Sequence, residues 1–159
     1  MEKSFIWLTA FTLISIVSVI MVPQKRYIKL LPFGIFAGFL LSMAVMLLAV
    51  PWIRLWEFNH ISSFSVYGIP LFLALTLLPT TVIFAHYAPK FHNEEKLLFW
   101  VLIFTTATTF AQGLLQQAGF VVFINWNLLA AMMLSFAIYS FLALFIINYE
   151  VAPPETVKE

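Results

Sequence analysis

No cysteine occurs in this chain of 159 residues. That excludes disulfides, thiolate metal sites and cysteine nucleophiles, and it leaves the redox compartment unread. Charge is nearly as scarce. Asp, Glu, Lys and Arg make up 9% of the residues, against about 25% in a soluble domain. The net charge of +1 sets up no strong field for nucleic acid or an acidic partner. No basic patch with interleaved aromatics lies outside the apolar runs, so nucleic-acid binding is set aside. Internal repeats and low-complexity segments are missing too, and no charged side chain falls in the middle of an apolar run. Proton-coupled and voltage-driven machines keep an ionisable group inside the membrane; its absence argues against that class and leaves a passive pore or a neutral-solute carrier open.

What is present is apolar: 63% hydrophobic residues, 18% aromatic, and a mean hydropathy of +1.01. A water-soluble fold cannot hide that much apolar surface. Five apolar segments stand out, at about 5–22, 30–50, 66–88, 95–118 and 127–149. Each is near the ~20 residues a helix needs to cross about 30 Å of hydrocarbon. Backbone groups in lipid must satisfy one another, so such segments are helices; strands would need closure into a barrel and an alternating pattern. The expected fold is therefore all-α: a polytopic membrane helix bundle with five transmembrane helices over residues 1–150, followed by a frayed polar tail at 151–159. The N-terminal stretch differs from a signal peptide, because only Lys3 precedes the apolar run while Lys25 and Arg26 follow it, and no small-residue cleavage pattern ends it. An uncleaved first span is expected.

Pro23, Pro51 and Pro89 fall at segment ends, where a missing N–H costs little. Pro32 falls in the first turn of the second segment; Pro70 and Pro79 fall inside the third and should bend it. Lys25, Arg26 and Lys29 in the first link, Lys90 and Lys96 in the third, and Lys158 in the tail share one side; only Lys3 and Arg54 lie on the other. The positive-inside rule then places the N-terminus outside and the C-terminus in the cytoplasm.

Two groups of residues stand out as candidate sites. In "TTATTFAQGLLQQAG", residues 105 to 119, Thr105, Thr109, Gln112 and Gln116 are spaced four, three and four apart and share one helix face, with Thr108 beside them. Gly113 and Gly119 thin the helix where another could approach. This strip reads as interhelical hydrogen bonding with small-residue packing, or as a water-lined groove or small-molecule pocket open to the outside. The second group is "PWIRLWEFNHI". Trp52, Trp56 and Phe58 fit an interfacial belt, and Arg54 and Glu57 are spaced to pair on a short helix. The choice there is between an interfacial anchor with a surface ion pair and an outer cap in which Arg54, Trp56, Glu57, Asn59 and His60 meet Gln116, Asn125, Trp126 and Asn127. His60, His86 and His92 have no paired spacing, so no metal or haem site is expected. No catalytic set, glycine-rich phosphate loop or cofactor motif appears. Met132 and Met133 read as gap-filling core rather than as ligands.

"LWEF" at 55–58, "LPTTVIF" at 78–84, "YAPK" at 87–90, "WV" at 100–101 and "NWN" at 125–127 occur in that order. Together they make the chain resemble a family of small, uncharacterised multi-helix membrane proteins of four to five spans found in endospore-forming bacteria. The likeness runs from the second segment to the fifth. It implies an all-helical, multi-pass protein of the bacterial cell membrane and brings no activity. The family pattern often places an acid within the fourth helix; Gln112 lies inside that span here and no acid lies in its interior, which puts any role of such a carboxylate in doubt. The resemblance marks Trp56, Glu57, Pro79, Trp126 and Asn127 as a set to test. The functional expectation is a structural or accessory membrane component, not an enzyme and without cofactors, of a larger envelope or spore-related complex. Its expected partners are membrane lipid and other membrane proteins or further copies of itself. The alternatives are a small carrier or channel subunit for a neutral solute, and a membrane enzyme acting on lipid through Glu57 and His60.

Overall fold

The computed structural model describes residues 5–59, 64–88 and 94–148, with Glu94 described by its backbone alone. Among these residues the chain forms five helices: α1 (Phe5–Met21), α2 (Gln24–Trp52), α3 (Leu71–Tyr87), α4 (Glu94–Gln117) and α5 (Leu128–Asn148). Three of them, α2, α4 and α5, are long and apolar enough to cross a membrane; α1 and α3 are 17 residues each. Four short strands complete the fold: β1 (Trp56–Phe58), β2 (Ser65–Val66), β3 (Ile69–Pro70) and β4 (Val121–Phe123). The expected helices thus appear in number and order, but the fold is not purely helical. The tail at 151–159, most of the third link, and Lys3, His60, Pro89, Lys90 and His92 lie outside the described residues.

The helix boundaries correct the expected spans in two places. α2 begins at Gln24, six residues earlier than the apolar run. Gln, Lys and Arg are good helix formers, and Arg26, Leu30, Gly34 and Gly38, spaced four apart, are all buried on one face. The link between α1 and α2 therefore shrinks to Val22 and Pro23. Pro32 becomes an interior residue, with no N–H to return to the preceding turn. Immediately after it the backbone widens into a π-helical stretch, Gly34–Leu40, and a second one, Leu48–Trp52, contains Pro51. The third segment starts late. Residues 65–70 form a hairpin, with Tyr67 at φ 50° and Gly68 at φ 81°. Positive φ at both central residues is what a tight two-residue hairpin requires. Pro70 thus precedes α3 instead of bending it, and Pro79 alone lies inside.

α3 sits between α1 and α2, while α4 and α5 form an antiparallel hairpin of their own. α2 and α3 approach each other closely. A methyl group on Gly38 would lie 2.7 Å from the Leu77 carbonyl oxygen and 2.8 Å from Leu78 Cα; one on Gly34 would lie 2.7 Å from Val82 Cγ2. The backbones meet there because two glycines one turn apart remove the side chains between them. Hydroxyls bind the same three helices together: Ser18 Oγ donates to the Pro79 carbonyl (3.3 Å), and Ser42 Oγ reaches the carbonyls of Phe39 (2.9 Å) and Ala74 (3.5 Å).

Two apolar clusters join the three-helix unit to the hairpin, one at each end. At the end carrying Lys25, Arg26, Lys29 and Lys96, Phe84 of α3 packs on Phe104 of α4 and Tyr139 of α5, with ring centroids at 5.1 and 5.2 Å. At the opposite end, Trp7 of α1 is buried edge-on against Phe58 and Phe120, at 5.8 and 5.9 Å. Edge-on and tilted ring pairs of this kind add to the packing between the two units.

Candidate functional site

The helix-four strip divides along its length. Thr105 is 3% exposed and Thr109 is 9% exposed; Gln112 is half-buried and Gln116 exposed. Val101, Thr105 and Thr109 form the buried face of α4, and the matching face of α5 buries Ala131, Ser135, Tyr139, Leu142, Ala143 and Ile146. Small side chains on both helices let the hairpin close. Thr109 Oγ1 donates back to the Thr105 carbonyl at 2.8 Å, a bond within its own helix. Across the interface the Thr108 hydroxyl and the Tyr139 hydroxyl are 3.0 Å apart and hydrogen-bonded. Tyr139 continues into the aromatic cluster of Phe84 and Phe104. The buried Thr105 hydroxyl has no hydrogen-bond partner among the described residues.

The two glycines of the strip do not provide the expected close approach. A methyl on Gly113 would meet Leu128 at an ordinary 3.6 Å, and one on Gly119 would meet nothing within 4 Å. Gly119 instead stops α4. Its φ is 76°, its N–H donates to Gln116 O (3.0 Å), and Phe120 N–H donates to Leu115 O (2.8 Å). Those two bonds are the Schellman ending, in which a left-handed residue lets the chain turn back and satisfy the last carbonyls. The turn delivers β4 to β1.

The second group is built on that meeting. β1 and β4 pair antiparallel, with Trp56 opposite Phe123, Glu57 opposite Val122 and Phe58 opposite Val121. Alternation along the ribbon turns Phe58 and Val121 into the cluster around Trp7 and leaves Glu57 and Val122 exposed. Trp56 and Trp126 pack at 5.6 Å. Asparagines hold the loops. Asn59 Nδ2 donates to Gly119 O (3.1 Å) and Asn125 Nδ2 to Arg54 O (3.3 Å), while Asn127 Oδ1 accepts the Ala130 N–H (2.8 Å) as the N-cap of α5. Arg54, Trp56, Glu57, Asn125, Trp126 and Asn127 are therefore brought to one end of the molecule; His60 lies outside the described residues. The expected ion pair is overturned. Residues 56–58 are strand and Arg54 is left-handed at φ 54°, so the helical spacing that would pair Arg54 with Glu57 does not exist. Neither side chain has an ion-pair partner among the described residues.

Among the described residues no three His, Asp or Glu side chains gather as metal ligands would. His86 is buried at the other end, beside Tyr87. Sequence reasoning missed Gly34, Gly38, Ser18, Ser42 and Trp7 as determinants of the architecture. The pattern "GIFAG" was the available signal for the first two; nothing in the sequence pointed to the others. Comparison with known protein families, with curated proteins and with solved structures found no match.

Proposed function

We propose that the chain is a five-span integral membrane protein with a structural or accessory role and no catalytic chemistry of its own. The observation that carries this reading is the state of the helix-four strip: its middle is closed into a helix–helix interface, with Thr109 bonded to its own helix and Thr108 to Tyr139. The outer surfaces of α1, α4 and α5 present Leu13, Val19, Phe110, Met133 and Leu144, so Met133 faces outward instead of filling the core as expected, and lipid is the solvent that covers such surfaces without cost. At 17 residues, α1 and α3 meet the lower end of the range for a span. Lys25, Arg26, Lys29 and Lys96 favour the cytoplasmic side for their end and the outside for the ribbon. The motif likeness to small membrane proteins of endospore formers favours the same reading and a place beside a larger envelope complex.

The rival is a small carrier or channel subunit whose path follows the strip. It draws on Thr105, whose buried hydroxyl lacks a hydrogen-bond partner among the described residues. The absence of cysteine makes the test clean. Single substitutions Thr105→Cys, Thr109→Cys, Gln112→Cys and Gln116→Cys, with Ile103→Cys, Phe110→Cys and Leu114→Cys on other faces, are exposed to an impermeant thiol reagent from outside. The structural reading expects Glu57→Cys and Gln116→Cys to label and positions 105 and 109 to stay silent. Labelling that runs down the strip through 112, 109 and 105 and spares the other faces would overturn it in favour of the carrier.

A further inference from the structure

Most polar groups around the ribbon have a structural task. Asn59, Asn125 and Asn127 are each tied to backbone. Arg54 and Glu57 are not. Both are exposed, they are three positions apart in the sequence, and neither side chain has a partner among the described residues. The backbone between them is held firmly. Asn125 Nδ2 binds the Arg54 carbonyl, Leu55 N–H donates to Ala49 O (2.8 Å), and Leu55 O accepts from both Ile124 (2.9 Å) and Asn125 (3.2 Å). Arg54 is kept in a left-handed conformation that an L-residue rarely adopts. The charges stand in an apolar surround: Trp52 is 81% exposed, Ile53 58%, and Val122 and Ile124 almost half. An unpaired cation and an unpaired anion over exposed Trp and aliphatic surface match the boundary between lipid headgroups and acyl chains.

We propose that this patch seats one zwitterionic phospholipid headgroup, with the Arg54 guanidinium on its phosphate and the Glu57 carboxylate on its ammonium. The guanidinium fork fits phosphate oxygens two at a time. A primary ammonium gives the carboxylate N–H donors, which a choline headgroup lacks; a glycerol headgroup leaves Glu57 unpaired beside a second anion. The lipid class is therefore phosphatidylethanolamine. Trp52 and Ile53 lie against its glycerol and upper acyl region. The inference rests on the five-span reading with the ribbon at a membrane surface.

The test uses the full chain purified with an equimolar mixture of phosphatidylethanolamine, phosphatidylglycerol and phosphatidylcholine, the retained lipids being counted by native mass spectrometry. The wild type should retain phosphatidylethanolamine over each of the others by about fivefold, the upper size for an exposed charge pair. Glu57→Gln should abolish that preference while lipid is still retained. Arg54→Gln should lower retention of all three classes; circular dichroism checks that both variants keep the wild-type helix content. Equal retention of the three lipids by the wild type, or an unchanged preference in Glu57→Gln, overturns the site and leaves the membrane reading standing. Displacement by free phosphoethanolamine at equal concentration overturns it in favour of a soluble ligand. A chain that retains no lipid of any class overturns both readings.

Discussion

Adding one methyl group at Gly38 tests the packing logic of the whole three-helix unit. In Gly38→Ala the new carbon would start 2.7 Å from Leu77 O, 2.8 Å from Leu78 Cα and 3.0 Å from Thr81 Oγ1. Carbon atoms pack at about 3.5–4.0 Å, and two of these neighbours are backbone, so no rotamer change can relieve the clash. α2 and α3 must separate by most of an ångström, loosening the contacts that Ser42, Val82 and Leu30 make beside them. Overpacking of this kind costs about 1–3 kcal/mol; removing a mid-helix glycine returns about 0.5–1 kcal/mol. The net expectation is a loss of about 1–2 kcal/mol, which for a chain of this length lowers the melting temperature by roughly 3–6 °C. Gly113→Ala is the matched control. Its methyl meets Leu128 at 3.6 Å, so only the helix-propensity gain remains, and the melting temperature should hold or rise by about 1–3 °C. Thermal unfolding in detergent, followed by tryptophan fluorescence with buried Trp7 as a reporter, reads both. Equal shifts for the two variants, or a Gly38→Ala protein as stable as wild type, would refute the argument that these backbones touch.

Tyr139→Phe keeps the rings of the basic-end cluster and removes the bond to Thr108; it should cost about 0.5–1.5 kcal/mol in the same melt, and the double variant with Thr108→Val should cost little more, because both partners then leave together. Arg54→Gly removes a left-handed strain at an exposed position. After allowance for the extra freedom of the unfolded chain, it should stabilise the protein in detergent by about 0.5–1 kcal/mol while lowering retention of all three lipid classes at the ribbon end; a melting temperature below wild type would show that the side chain itself supports the fold.

The expected elements and the observed ones differ where local composition competed with partners far away in the chain. The apolar run at 66–88, extended by Val66, Tyr67 and Ile69, predicts a single helix, yet Gly68 allows a hairpin turn that releases Pro70 from the helix. Lys25, Arg26 and Lys29 looked like a link because they are charged; they belong to α2 because Arg26 and Leu30 share the face that Gly34 and Gly38 continue. The spacing of Thr105, Thr109, Gln112 and Gln116 aligns them along α4, yet burial along the strip falls from Thr105 to Gln116. That its middle is closed and its end open depends on where α5 lies. Arg54 and Glu57 are spaced to pair on a helix, but residues 56–58 form a strand, and the two are unpaired among the described residues.

By itself, the sequence determined the number, order and approximate extent of the helices, since each apolar run is long enough to demand its own hydrogen-bonded helix whatever its neighbours do. It also determined which end is basic, since that follows from counting charges along the links. Only the tertiary structure decided which helices touch and what the polar residues do. The β1–β4 ribbon joins three residues to three others more than sixty positions away, too short a segment on either side to announce itself by periodicity. The Gly38 contact needs the Leu77 carbonyl on the facing helix. Hydropathy is a property of one segment at a time, whereas close approach, hydrogen-bond partners and unpaired charge are properties of two surfaces at once, and those are settled only when the helices meet.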